Sequence, residues 1–205
     1  MRRWRLLAFI LLSTGLAAHS AESQKRIWTF EDDRAGQLPR GFSAAVGEWT
    51  VVTSGEGKVL AQSARNANSV FNLALVDDTR ARDVDISVKI KAIAGELDQG
   101  GGLVWRARDA KNYYIARFNH KEENFRVYKV VDGVRSQPLR NADVKHHDGW
   151  TVLRVTMKGD HIECSIDGKK SLDVHDSTFT EAGKIGVWSK SDAQSQFDDL
   201  TLEGD

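Results

Sequence analysis

The feature that most constrains this chain is a two-residue rhythm. In "DVDISVKIKA" (83–92), Val84, Ile86, Val88 and Ile90 alternate with Asp85, Ser87, Lys89 and Lys91. Residues two apart share one face of a strand, and helical spacing is nearly absent from the chain. "WTVLRVTMKGDHIECSIDG" (150–168) reads as a hairpin with Gly159-Asp160 at its tip. Pairing Lys158 with His161 sets Leu153 opposite Ile166, Val155 opposite Cys164 and Met157 opposite Ile162. The other face pairs Arg154 with Ser165 and Thr156 with Glu163. One apolar and one polar face make that register self-consistent. Further strands are predicted at 27–30, 47–53, 58–62, 69–76, 124–131, 170–174, 183–190 and 196–203, punctuated by turns such as Asp132-Gly133 and Asp167-Gly168. A dozen or more strands with no covering helices predict two antiparallel sheets packed face to face, an all-β jelly-roll sandwich, ahead of a closed barrel.

The first residues follow a different pattern. Arg2, Arg3 and Arg5 precede an apolar run, Leu6 to Ala18, and Ala18-His19-Ser20 offers small residues for cleavage. Residues 1–20 are therefore expected to be a secretory signal peptide, because the run is too short for an ordinary membrane span. An uncleaved anchor is the alternative. No cysteine follows the run, so a lipid anchor is not supported. Residues 21–26 form a polar lead, and 27–205 a single domain. Export to the periplasm or outside the cell follows. Without the signal, the 29 basic residues fall to 26 against 29 acidic ones, a net charge of −3. That balance argues against general nucleic-acid binding. The single cysteine, Cys164, alternates with Ile162 and Ile166 and is expected in the core, with no internal disulfide.

"GGLVWRARDAKNYYIARFN" (101–119) carries three arginines, a tryptophan and two tyrosines. With Asp109 to Asn112 as the turn, Arg108 opposes Tyr113, Arg106 opposes Ile115 and Val104 opposes Arg117. The alternate face pairs Ala107 with Tyr114, Trp105 with Ala116 and Leu103 with Phe118, and belongs to the core. Continuing through "HKEE" sets Asn119 opposite Asn124, Arg117 opposite Arg126 and Ile115 opposite Tyr128. In "GKIGVWSKSD" (183–192), Ile185 and Val187 fit the core, which turns Trp188 and Lys190 outward. One open sheet face is thus expected to display Arg106, Arg108, Tyr113, Arg117, Asn119, Arg126, Tyr128, Trp188 and Lys190. Aromatic rings stack on sugar faces, and arginine and asparagine hydrogen-bond to hydroxyls, carboxylates or sulfates. This predicts a face for a glycan or related polar ligand. The plainer reading is cross-strand and cation–π packing alone.

Carboxylates mark both ends of the domain, "FEDDRAG" (30–36) and "FDDL" (197–200). If the first and last strands are neighbours, Glu31, Asp32, Asp33, Asp198 and Asp199 meet. Hard oxygen donors suit Ca²⁺, although no twelve-residue calcium loop is present.

Together, "FEDDRAGQLPRGF", "GGLVWRARDAKNYY", "VYKVVDG", "GWTVLRV", "GKIGVWSKSD" and "FDDL" resemble the concanavalin A-like, laminin-G-like jelly rolls of exported bacterial proteins. Within these, the chain is similar to the 3-keto-disaccharide hydrolase-like domains over most of 27–203. The resemblance implies glycan-related ligands on a concave sheet. It also implies a structural calcium between an N-terminal acidic residue and a C-terminal aspartate, positions matched by Glu31 and by Asp198 or Asp199. The glucanase pattern of two glutamates flanking an aspartate is absent, since "ECSIDG" offers only Glu163 and Asp167. Three functions compete: a binding module, a sugar hydrolase and an envelope protein-interaction domain. For acid–base work, Asp109, His120 and Asp192 lie nearest the face in sequence. The adjacent His146 and His147 point to opposite faces of a strand and suit one metal poorly.

Overall fold

The computed structural model describes residues 25–55, 57–145 and 148–204. The predicted signal peptide, and His146 and His147, lie outside the described residues. Among the described residues there is no helix, and none long and apolar enough to cross a membrane.

Among the described residues, sixteen strands form two antiparallel sheets. The back sheet runs β14 (Lys169–His175), β13 (His161–Ile166), β12 (Thr151–Lys158), β6 (Val84–Ala94), β16 (Gln194–Gly204), β4 (Gly57–Gln62) and β3 (Trp49–Ser54), with β1 (Arg26–Trp28) also paired to β16. The front sheet runs β10 (Val134–Arg135), β9 (Asn124–Val131), β8 (Asn112–Asn119), β7 (Gly100–Asp109), β15 (Lys184–Lys190), β5 (Phe71–Val76) and β2 (Phe42–Val46), with β11 (Arg140–Asp143) on β9. This is the jelly-roll sandwich expected from the alternation. The first and last strands do pair, Arg26 to Trp28 against Leu202 to Leu200.

The core between the sheets takes alternate residues from both: Val84, Ile86, Val88, Ile90, Leu153, Val155, Met157 and Cys164 from the back, and Leu103, Trp105, Tyr114, Phe118, Phe125 and Val187 from the front. Each such aliphatic or Phe side chain contributes about 1.5–3 kcal/mol by leaving water. Burial pushes the Cys164 thiol far above its ordinary range, so it is an inert core residue, as its alternation predicted. The β12–β13 register is the one read from the sequence, pair by pair. The β8–β9 register also matches, with Arg117 opposite Arg126 and Ile115 opposite Tyr128.

The β7–β8 hairpin differs from expectation. Its turn is two residues, Ala110-Lys111, and Asp109 pairs with Asn112. The Asp109 carboxylate accepts the Lys111 N–H (2.7 Å) and the Asn112 amide (3.1 Å), which fixes that turn. Trp105 then pairs with Tyr114, so Arg106, Ala107 and Arg108 bulge against Tyr113 alone. Arg106 takes a left-handed φ of 46° within the bulge. Faces N-terminal to it are as predicted. Beyond it they switch, and Ala107 joins an outer cluster instead of the core.

Candidate functional site

The front sheet is strongly curled. The Arg135 guanidinium carbon sits 4.4 Å from the Tyr128 ring centre on β9 and 5.4 Å from the Phe71 ring centre on β5. Those rings are therefore no more than about 10 Å apart, although four strand steps separate β9 from β5, about 19 Å in a flat sheet. The concave face is the one that does not meet the back sheet. It is floored by Leu73, Val104, Tyr113, Ile115, Tyr128, Val130 and Trp188, all buried.

This floor corrects two sequence readings. Trp188 does point away from the main core, but it is fully buried rather than exposed. Phe71 packs on it at 5.4 Å, and its indole N–H donates to the Tyr113 hydroxyl (3.2 Å). Burial in turn pushes the Tyr113 phenol up to about 12. Tyr113, Tyr128 and Trp188 are each at most 2% exposed, so none offers an open ring for a sugar to stack on. Tyr128, with Phe71, forms the bed for Arg135 instead.

Arg106 is the third correction. Its side chain is 1% exposed and leaves the face altogether. It donates to the carbonyls of Arg82 (2.6 Å), Phe179 (2.7 Å) and Gly159 (2.7 Å) and pairs with Asp83 (3.3 Å). Tying four separated segments together is a structural role. The bulge explains the change, because the left-handed φ turns the side chain out of the strand alternation. Arg108 also stays apart from the cluster, lying over Phe179 at 5.2 Å on an exposed depression with Asp77 and Arg80.

The other predicted residues do converge. Arg117 Nη2 reaches both carboxylate oxygens of Asp98 (2.7 and 2.8 Å), both side chains almost fully buried. The Asn119 amide donates to the same carboxylate (3.1 Å), and the Lys190 ammonium lies 3.6 Å from it while bonding Asn68 (2.6 Å). Arg126, 30% exposed, bonds Asn141 (2.7 Å) and approaches Glu122 and the Tyr128 hydroxyl at 3.4 Å. Despite the cost of burial, the Asn124 amide and the Arg117 and Arg126 guanidinium groups hold the Glu122 carboxyl below the usual range.

Arg126, Tyr128, Arg135, Ser136, Gln137, Pro138 and Asn141 line a groove of about 410 Å³. Burial lowers the Arg135 pKa, and one of its terminal nitrogens is buried with no hydrogen-bond partner, as are Arg117 Nε and Asn124 Oδ1. Of these, Arg135 lines the groove, and an unused donor there is what an incoming polar ligand satisfies.

Three members escaped the sequence reading. Arg135 opposes Val130 across the Asp132-Gly133 turn, which puts it on the Tyr128 face. Glu122 sits in the turn before β9. Asp98 comes from the loop before β7, held by Asp192, whose carboxylate accepts the N–H groups of Glu96, Leu97 and Asp98 at 2.7–3.1 Å. Burial opposes the charge, but those three donors pull the Asp192 carboxyl below its ordinary value. Gly95, at φ +147°, closes the loop where any Cβ would meet the Asp98 carbonyl at 2.0 Å. Of the sequence's acid–base candidates, Asp109 and Asp192 are thus committed to backbone, and His120 is buried with its ring 4.3 Å from Phe118.

The acidic ends meet at a bulge in β16, where Asp199 has φ 46°. Asp33 pairs with Arg40 (3.1 Å), Asp199 with Lys89 (2.6 Å), and Glu31 accepts the Lys58 N–H (3.0 Å). Burial pushes the Asp198 carboxyl up, and the charges of Asp199 and Glu31 push the same way. No three of Glu31, Asp33, Asp198 and Asp199 bring their oxygens within 4.8 Å of one another.

The known proteins that this curled antiparallel sandwich resembles agree with it in fold. No protein-family model matches the chain. It is 26% identical over 172 residues to a levanase of Bacillus subtilis (strain 168), a match that takes in 80% of this chain and 23% of the levanase. The chain thus spans about a quarter of that relative's length. Carbohydrate binding module CBM66 from Bacillus subtilis superposes with a TM-score of 0.69 at 23% identity, over 80% of this chain and 96% of that one. The carbohydrate recognition domain of Emp47p superposes with a TM-score of 0.56 at 10% identity, over 92% and 99%.

Proposed function

We propose that this chain is an exported carbohydrate-binding module whose ligand lies in the concave groove of the front sheet. The observation that carries this reading is Arg135, laid across Tyr128 and Phe71 with a buried nitrogen left unbonded at the groove. Arg126 and Arg135 supply donors in fixed directions, Asn141 and Gln137 supply mixed donors and acceptors, and the Asp98–Arg117 pair braces the sheet beside them. Recognition is by hydrogen bonds to hydroxyl or anionic groups of a sugar, not by stacking on an open aromatic ring. Because a similar protein is called a levanase, levan is the first glycan to test.

Calcium would fall between Glu31 and Asp198, the two carboxylates whose charges repel across the acidic ends. A shared hard cation relieves that repulsion and ties the N-terminal segment to β16. Kinship with the 3-keto-disaccharide hydrolase-like domains is carried by the shared sequence segments. A hydrolytic role would need a free carboxylate at the groove, and Asp98 and Glu122 are both engaged by arginines, which favours binding over turnover. Export rests on the basic and apolar segments of residues 1–20.

A glycan array probed with the chain from Ala21 onward, with calcium and with chelator, tests the reading. Saturable binding to levan or another glycan, with the sugar recovered intact, supports it. A blank array in both conditions overturns it in favour of a protein partner, and recovery of cleaved sugar overturns it in favour of an enzyme.

A further inference from the structure

The back sheet carries a second cluster, outside the groove's lining. His161 on β13 pairs with His175 on β14, the edge strand, in antiparallel register. Paired residues project to one face, and here the two imidazoles stack with centres 4.5 Å apart and planes 10° apart. Asp173, two residues before His175, shares that face. Its Oδ1 lies 2.8 Å from His161 Nε2. One donor atom from each of His161, Asp173 and His175 falls within 4.8 Å of the others, the one such group of three among the described residues.

From this geometry we infer a divalent transition-metal site formed by His161, Asp173 and His175, of the class that takes Zn²⁺, Cu²⁺ or Ni²⁺. Two imidazoles and one carboxylate are the donors these ions prefer, with water completing the shell, whereas Ca²⁺ asks for oxygens. Tetrahedral zinc sets its ligand atoms about 3.4 Å apart. The three side chains are 39–64% exposed and can close by the remaining distance without disturbing the core. The second sphere is in place. The Asp160 carboxylate is 3.1 Å from His175 Nδ1, so it can hold the proton there and leave Nε2 to the metal. Lys170 binds Asp173 Oδ2 (2.8 Å) and Glu163 (2.6 Å), leaving Oδ1 for a single metal bond. The cation takes the place of the direct His161–Asp173 contact and clips the edge strand to its neighbour.

The test is a Zn²⁺ titration of the untagged chain from Ala21 onward, by calorimetry and by melting temperature. One saturable site per chain is expected, with a rise in melting temperature that Ca²⁺ does not reproduce. His161→Ala, His175→Ala and Asp173→Asn should each weaken binding at least about 10-fold, the lower edge of what even outer-shell changes cost. The double variant His146→Ala/His147→Ala should bind as the parent does. The metal-free melting temperature of each variant reports its fold. No saturable binding up to millimolar Zn²⁺ overturns the inference. So does binding that survives loss of His161 and His175.

Discussion

Arg117 Nη2 forms an ion pair with both carboxylate oxygens of Asp98, at 2.7 and 2.8 Å, beneath the concave face, with both side chains almost fully withdrawn from solvent. A buried pair of this kind is worth little against an apolar substitute, but losing one partner strands a charge and costs about 3–5 kcal/mol. Arg117→Met should therefore cost about that much in urea unfolding. The double variant Arg117→Met/Asp98→Leu should recover much of the loss. A single-variant loss below about 1 kcal/mol, the range of an exposed pair, would show that the pair is solvated.

Arg106 reads differently from its neighbours. Its guanidinium holds three carbonyls and Asp83. Arg106→Ala leaves those acceptors without their donor, the Phe179 carbonyl among them buried, at about 1–3 kcal/mol for each that finds no water. The expected outcome is a large fall in melting temperature with sugar affinity unchanged in whatever fraction remains folded. Lost affinity in a fully stable variant would return Arg106 to the binding face.

Trp188→Ala belongs to the same class. The indole is fully buried under Phe71 and bonded to Tyr113, so truncation should cost about 3–5 kcal/mol as a cavity. Trp188→Phe keeps most of the packing and loses one hydrogen bond, about 1 kcal/mol. Thermal melts of the pair separate the two contributions, and equal losses would contradict the packing described.

Asp176 predicts a pH dependence. Burial works against its charge, but Lys129, Thr178 and Tyr114 donate to it and hold its carboxyl at about 2. An unfolded aspartate titrates near 3.9, so the folded state binds fewer protons. The stabilisation is complete above about pH 4 and drains away as pH falls through about 2, a total of about 2 kcal/mol. Asp176→Asn should be less stable than the parent at pH 7 and nearly equal to it at pH 2. A constant difference across that range would exclude the carboxylate as the cause.

Where alternation ran unbroken, the sequence was sufficient. The hairpin tipped by Gly159-Asp160 has every pair where its two faces demanded it. The hairpin at 101–119 was misread because its bulge depends on partners far along the chain: carbonyls 24, 53 and 73 residues away hold Arg106 in a left-handed conformation that no local residue requires. The parity of the face survived, so Arg117, Arg126, Tyr128 and Lys190 do gather. What alternation does not reveal is curvature. Outward-facing Tyr113, Tyr128 and Trp188 are buried because the sheet folds over them, and no local pattern reports that. Asp98 was invisible for a related reason, being placed by Asp192, 94 residues later. Arg135 was legible, since the Asp132-Gly133 turn already sets it against Val130.

The central claim is that Arg135 and Arg126 meet the sugar at the groove. The most direct measurement is calorimetric titration of Arg135→Ala and Arg126→Ala with the glycan selected by the parent, alongside their melting curves. Arg135 lies on the edge strand β10 and the Arg126 side chain is 30% exposed, so each variant should stay folded while affinity falls at least about 10-fold, or 1.4 kcal/mol. Affinity unchanged in both folded variants would contradict the account and place the ligand elsewhere on the molecule.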